Sequence, residues 1–324
     1  MPHTVKGTFR GTFRGTASRL VVLVLVGTMV SCTSRTQTAA TGPASTASPK
    51  PSPSASAGRA TATAVATGQI VWTDGSSKIV LSNADGSNQH VVVPNHPSVT
   101  LAVSYNSPDL SPDGKQIVMG SSTGGVPRSS QLYIAGTDGS APRRADQTGT
   151  IQYWPRWSPD GTQIAYAELE GANGVRDIVT MYADGTGQKV VIGNGDRPSW
   201  SPGGGSLVFV SGGNIMVVNA DGSQLHTLAP GVGPAIWSPD GTEIAFQQKQ
   251  SRGVRVIKAD GTSQTVTEAA VSLQSWSPDG RRLLVITTPS GHLPGDLQVI
   301  DAASGAVLQT LASNVVDANW QRSR

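Results

Sequence analysis

The sequence predicts an all-β protein, a six-bladed β-propeller with four-stranded antiparallel blades, on three observations. The first is a recurring Trp-Ser-Pro-Asp-Gly. It is complete at 157–161, 237–241 and 276–280, degenerate at 110–114 and 200–204, and reduced to Trp320 at the end. Its steps are 47, 43, 37, 39 and 44 residues, and self-similarity at about 40–45 residues marks blades of four strands. The second is an in-phase Asp-Gly pair beginning at Asp85, Asp138, Asp184, Asp221 and Asp260, with a looser sixth copy from Asp301. The third lies at the ends of the repeat region. Three strands, 69–73, 78–83 and 89–93, precede the first Ser-Pro-Asp-Gly, and one strand, 315–320, is left over. One and three complete a sheet, so 315–320 is expected to pair with the N-terminal three and remove two open edges.

Each element of the repeat has a physical cause. In the third blade, 152–157 reads as a first strand and 158–161 as a tight turn. Residues 163–168 read as a second strand alternating at Ile164 and Tyr166, 177–182 as a third, and 188–192 as a fourth after the Ala-Asp-Gly turn at 183–185. Proline presets φ at the first central position of a turn, Asp bonds its own nearby backbone, and Gly takes the positive φ. Trp157, Trp200, Trp237, Trp276 and Trp320 supply large flat contacts between blades. Asp160, Asp240 and Asp279 read as turn formers, because calcium loops place carboxylates at alternating positions and each turn here has a single Asp.

Residues before the repeats read as targeting and tethering. Residues 1–31 combine Lys6, Arg10, Arg14 and Arg19, without acids, with an apolar run at 20–30. That is the shape of a secretory signal, and the run is short for a spanning helix, which needs about 20 residues. A small residue before the single cysteine, Cys32, resembles a lipobox, so Cys32 is the expected lipidation site. Residues 32–67 are Ser, Thr, Ala and Pro with hardly any large apolar side chain, and such a segment cannot bury enough surface to offset its ordering entropy. A disordered tether is expected there, with the propeller at 68–324. The expected location is the cell envelope, outside the cytoplasm and anchored to the membrane.

Charge and cysteine usage exclude several functions. The chain is net +3, but its first 31 residues hold four basic groups and no acids, and residues 68–324 are net −4. A propeller of that sign has no electrostatic footprint for nucleic acid. Without Cys32 the chain has no cysteine, which excludes disulfides and thiol catalysis.

The Trp-Ser-Pro-Asp-Gly motif followed by Ile164-Ala165-Tyr166 or Ile244-Ala245-Phe246, a strand and Asp-Gly resembles the TolB-type, WD40-like propeller repeat over roughly residues 68–324. The resemblance implies the fold. It is silent on activity, since such repeats occur in TolB, in the propeller domains of peptidases and in surface lipoproteins. TolB carries an α/β domain before its propeller where this chain has the tether, so the resemblance is to the repeat family and not to TolB itself.

Antiparallel strands put alternate loops on one face. The Ser-Pro-Asp-Gly and Asp-Gly turns therefore share a repetitive acidic face. The loops at 121–130, 169–176, 248–253 and 289–295, with the crossovers at 94–104 and 193–198, share a variable one. Variable loops on a rigid scaffold are where binding residues usually sit. The candidate binding face is Arg128, Tyr153, Trp154, Arg176, Arg197, Lys249, Arg252 and His292, mildly basic and suited to an anionic partner, with Tyr153-Trp154 as a hydrophobic or sugar platform. Gly-x-Ser-x-Gly occurs at 120–124, in what reads as a loop between strands and not as the strand-turn-helix of a nucleophile elbow. His90, His96, His226 and His292 have no metal-ligand spacing. No catalytic residue, metal or cofactor is expected. The function these observations favour is a monomeric, non-enzymatic envelope platform for a protein or glycan partner. The alternatives are a propeller hydrolase or lyase acting on an envelope glycan or lactone, and a small-ligand or metal-sensing propeller.

Overall fold

The computed structural model describes residues 67–94, 103–123, 129–146, 148–169, 174–249, 253–258, 262–269, 271–288 and 292–322. The chain divides into two units, Met1–Ala60 and Thr61–Arg324, and the described residues all lie in the second. Cys32, the leader and nearly all of the expected tether lie outside the described residues.

The unit is a β-propeller of antiparallel sheets. Its first strands are β1 (Gln69–Asp74), β2 (Ile79–Asn83) and β3 (His90–Val93). One four-stranded sheet holds β4 (Val103–Leu110), β5 (Gln116–Thr123), β6 (Ser129–Gly136) and β7 (Arg143–Arg144). The next holds β8 (Ile151–Trp157), β9 (Gln163–Leu169), β10 (Arg176–Tyr182) and β11 (Lys189–Ile192). A third holds β12 (Asp196–Trp200), β13 (Ser206–Ser211), β14 (Asn214–Asn219) and β15 (His226–Pro230), and a fourth holds β16 (Val232–Trp237), β17 (Glu243–Gln247), β18 (Val254–Lys258) and β19 (Ser263–Thr267). The chain ends with β20 (Val271–Trp276), β21 (Arg282–Thr287), β22 (Gly295–Asp301) and β23 (Val307–Trp320).

Uniform four-stranded sheets were the expectation, and one sheet departs from it. β20, β21, β22, β23, β1, β2 and β3 form a single seven-stranded sheet. The cause is β23, fourteen residues long. Its first half pairs with β22 and its second half with β1, where Ile70 faces Trp320 and Trp72 faces Ala318. The expected closing strand 315–320 is therefore the second half of a longer strand. Asn314, with a φ of 63°, sits between the halves, and this single left-handed residue marks the point where the chain changes partner.

The repeated motifs close turns by hydrogen bonds that recur almost unchanged. Ser158 Oγ donates to Asp160 Oδ1 at 2.5 Å and accepts from Gln163 N–H at 2.9 Å, while Gly161 N–H donates to the Ser158 carbonyl at 2.9 Å. Ser238 and Asp240 repeat this at 2.6 Å, as do Ser277 and Asp279 at 2.5 Å. The hydrogen bonds from serine and backbone hold the Asp160 and Asp240 carboxyls below the usual range. Four of the described Asp-Gly-type turns are bonded to the residue that follows a Ser-Pro-x-Gly turn, as when Ala183 N–H donates to the Thr162 carbonyl and Ala302 N–H to that of Arg281, both at 3.0 Å. The two turn families share one face because they are bonded to each other.

Apolar side chains from successive sheets meet in shared clusters. Val118 and Ile134 pack with Trp157 and Ile164, and Val208 and Ile215 with Ile244 and Phe246. Ile70 and Trp72 pack with Leu284 and Leu297. The second strand of each sheet is buried on both faces, as Ile164, Ala165 and Tyr166 all at 0% exposure illustrate. A half-buried sheet would alternate; these strands read as short apolar runs because a blade has a neighbour on either side.

Candidate functional site

The first strand of each sheet lines a central channel, and a repeated irregularity aims its side chains there. In β4, β8 and β12 the register slips between Asn106 and Asp109, Tyr153 and Arg156, and Asp196 and Ser199. Each slip is an irregularity of the β-bulge kind ahead of the first motif position, Leu110, Trp157 or Trp200, and bulges re-aim side chains and increase local twist. Ser107, Trp154 and Arg197 take φ of 50°, 50° and 52° there. Positive φ is an outlier for residues as bulky as Trp and Arg, and such outliers gather at functional sites.

Counting back from the tryptophan position gives two rings. Three residues before it stand Ser107, Trp154, Arg197, Pro234, Leu273 and Asp317, all on the wall of a cavity of about 340 Å³. One residue before it stand Asp109, Arg156, Ser199, Ile236, Ser275 and Asn319. The two rings form an outer and an inner tier of the same channel.

The outer tier is a chamber with one aromatic, cationic wall. The Tyr153 and Trp154 rings lie 5.2 Å apart. The Arg176 guanidinium sits 5.0 Å from the Tyr153 ring and 5.1 Å from Trp154, and the Arg197 guanidinium 4.4 Å from Trp154. Arg176 also pairs with Asp196 at 3.1 Å. Burial pushes the Asp196 carboxyl up, against Arg176 and Arg197, which pull it down. Burial likewise pushes Arg197 down, with Asp196 and Asp317 opposing. Across the chamber, Ser107 Oγ donates to Asp317 Oδ2 at 2.8 Å.

The inner tier is more tightly bonded. Asp109, 2% exposed, accepts from Trp157 N–H at 2.7 Å and from Asn319 Nδ2 at 2.8 Å. Burial raises its carboxyl, opposed by Arg156 and Arg322. On the turn side the channel narrows to a cavity of about 60 Å³ walled by Trp200, Trp237, Trp276 and Trp320. Arg322 enters there, donating to the Trp200 carbonyl at 3.3 Å and to Ser199 Oγ at 3.2 Å. The indole N–H of Trp276 donates to the Ile236 carbonyl at 3.0 Å and that of Trp200 to the Arg156 carbonyl at 3.2 Å. The buried Trp237 indole N–H has no partner among the described residues.

The sequence-expected site residues divide. Tyr153, Trp154, Arg176 and Arg197 converge at the chamber. Arg197 is not on a solvent loop, as the crossover reading had it, but in β12, because the bulge belongs to the inner strand. Trp154 is not an open platform either: both arginines approach its ring. Lys249 is exposed beside Gly213, His292 is exposed on the loop before β22, and Arg128 and Arg252 lie outside the described residues. Gly120 to Thr123 belong to strand β5 and not to a loop, and the Asn106 side chain crowds the space a Cβ on Gly120 would take. His90 and His226 each bond through Nδ1 to a carbonyl two residues back, at 2.9 Å. Asp109, Arg156, Asp317, Asn319 and Arg322 were not singled out from sequence. The signal for four of them is their fixed offset from the motif tryptophan, and Arg322 has none.

Comparisons with known proteins agree with this architecture. The TolB beta propeller domain model matches residues 44–269. TolB from Acinetobacter baumannii superposes with a TM-score of 0.61 at 18% identity, over 79% of this chain and 67% of that one. A puromycin hydrolase superposes at 0.55 and 16% identity, over 78% of this chain and 46% of that one. An uncharacterized peptidase of Bacillus subtilis (strain 168), YuxL, is 31% identical over 106 residues, 28% of this chain and 16% of the peptidase. The chain thus spans a small fraction of that relative's length. The structural likenesses are of fold, and the domain match covers more than half the sequence. The chain belongs to the TolB beta propeller domain family.

Proposed function

We propose that this chain is an exported, lipid-anchored, six-bladed propeller that works by binding, with its recognition surface at the loop-side mouth of the central channel. The blade count is supported by β23, which serves one sheet with each half, and by six apolar clusters, each joining two successive blades. Anchoring through Cys32, a tether at 32–67 and a place in the cell envelope follow from the composition of the leader. Lys249 and His292, both exposed, extend the same face outward toward an envelope protein or glycan, and Arg128 and Arg252 are assigned to the same recognition role from the sequence alone.

The observation that carries the binding reading is the contrast between the two ends of the channel. The turn end is filled by tryptophan, proline and Arg322. The loop end opens into a chamber with an aromatic, cationic wall on one side and the Ser107–Asp317 pair on the other. Rigid scaffolds recognise through such mouths.

The test is crosslinking of intact envelopes followed by capture of the tagged full chain. A stoichiometric partner captured by the native protein and lost from a Lys249→Glu, Arg252→Glu variant supports the reading. Equal capture by both removes the loop face from it. A propeller hydrolase is the second reading, favoured by the peptidase match; it requires turnover of an ester or amide by the purified chain.

A further inference from the structure

We propose that the chamber is a site for a small hydroxyl-bearing monocarboxylate, whose carboxylate is held between Arg156 and Arg197. This rests on the binding reading above and names a ligand class for the same mouth.

The first argument is the state of the two arginines. Arg197 stacks on Trp154 at 4.4 Å, yet it makes neither a salt bridge nor a side-chain hydrogen bond among the described residues. Arg156 donates through Nη1 to the carbonyl of its own neighbour Pro155 at 3.0 Å and makes no salt bridge among the described residues. Arg176 does have its carboxylate, Asp196. A guanidinium offers five donors in a planar fork suited to carboxylate. Two largely unbonded guanidinium groups therefore face the same 340 Å³ space, and Arg156 disfavours the charge on Arg197. Partly buried like charges of this kind are relieved by an anion between them, and charge-assisted bonds to it are roughly twice as strong as neutral ones.

The second argument is the charge balance. Arg156, Arg197 and Arg322 enter the channel against Asp109 and Asp317, and Arg176 and Asp196 neutralise each other. Among the described residues one positive charge is left over, which a monoanion matches and a polyanion exceeds. The third argument is size and lining. The chamber lies in the roughly 300–1,000 Å³ range of small-molecule sites. Its far wall carries Asn106, Ser107 and Asp317, groups that bond hydroxyls, while Leu273 and Leu293 give it apolar surface. Closure of the turn end by Arg322 makes it a blind pocket entered from the loop side.

The test is titration calorimetry of the full chain with quinate, a hydroxylated monocarboxylate, and with methyl quinate, which keeps the hydroxyls and lacks the charge. The expected result is saturable one-to-one binding of quinate, at least tenfold weaker for methyl quinate and for Arg197→Gln. Because Arg197→Gln alters a packed residue, Asp317→Asn is the second variant. Removing that negative charge tightens quinate binding at least threefold, an effect that misfolding does not produce. The proposal is overturned if the folded native chain shows no saturable quinate binding, if methyl quinate binds equally, or if Asp317→Asn weakens binding. A failed titration with successful envelope capture removes this ligand class and leaves the macromolecular reading; the reverse pattern does the opposite.

Discussion

Ile70, in the first strand, lies opposite Trp320, near the end of the last. Trp320 is 1% exposed, and its indole N–H donates to the Thr67 carbonyl at 3.1 Å. A contact between residues this far apart in sequence has a large loop-closure cost, and here it also buries one of the largest side chains in the molecule.

A chain ending at Ser313 is therefore expected to lose far more than a strand end. It exposes the edge of β1 and removes Val315, Ala318 and Trp320 from their cluster. Loss of a buried Trp alone costs about 3–5 kcal/mol, against a typical domain stability of about 5–15 kcal/mol. Urea unfolding followed by circular dichroism measures it. A truncated chain with the native midpoint would show that this pairing contributes little.

The motif tryptophans are not equivalent. Trp276 donates to the Ile236 carbonyl at 3.0 Å, whereas the Trp237 indole N–H is buried without a partner. Trp276→Phe is expected to cost about 1–3 kcal/mol more than its volume change alone, because a buried carbonyl loses its donor. Trp237→Phe loses no such bond and relieves an unpaired group. Denaturant midpoints of the two variants, compared directly, should place Trp276→Phe well below Trp237→Phe.

Gly185 and Gly139 occupy the same place in their repeats, with φ of 89° and 82°. A Cβ at Gly139 meets nothing within 4 Å, whereas one at Gly185 falls 2.0 Å from the Ala145 carbonyl oxygen. Gly139→Ala should cost about 1–2 kcal/mol, the penalty of a left-handed conformation. Gly185→Ala should cost clearly more, because backbone must move as well. Thermal midpoints of the two variants test the difference.

The turn aspartates make stability depend on acid. Hydrogen bonds from Ser158 and Ser238 and from the following backbone hold Asp160 and Asp240 below 3.8. A depressed folded-state value contributes stability that is present above the unfolded value and is lost as pH falls through the folded one. The native chain should therefore weaken as pH falls below the ordinary carboxylate range, about 4. Ser158→Ala with Ser238→Ala removes the largest cause of the shift. That variant should be less stable at pH 7 and should lose less stability on acidification. Urea midpoints at pH 7 and pH 2.5 measure both effects.

The legible parts of this protein are those where one local rule repeats. The strands of the third blade, expected at 152–157, 163–168, 177–182 and 188–192, form within one residue of those limits. The Ser-Pro-Asp-Gly and Asp-Gly turns follow from residues adjacent in sequence, and Tyr153, Trp154, Arg176 and Arg197 were visible as a candidate set. The misreadings share a cause. Arg197 looked like a loop residue because a bulge inserts one extra position and changes which way the side chain points, and Gly120 to Thr123 looked like a loop because of their composition.

The sequence by itself determined the family, the repeat and the turn chemistry, because these depend on residues within a few positions of one another. Only the tertiary structure decided the channel. Asp109, Arg156, Ser199 and Asn319 come from four strands widely separated along the chain, and no local pattern sets a carboxylate beside an asparagine 210 positions away. Their meeting depends on the blades closing on one another, so the site exists only once the sheets have packed.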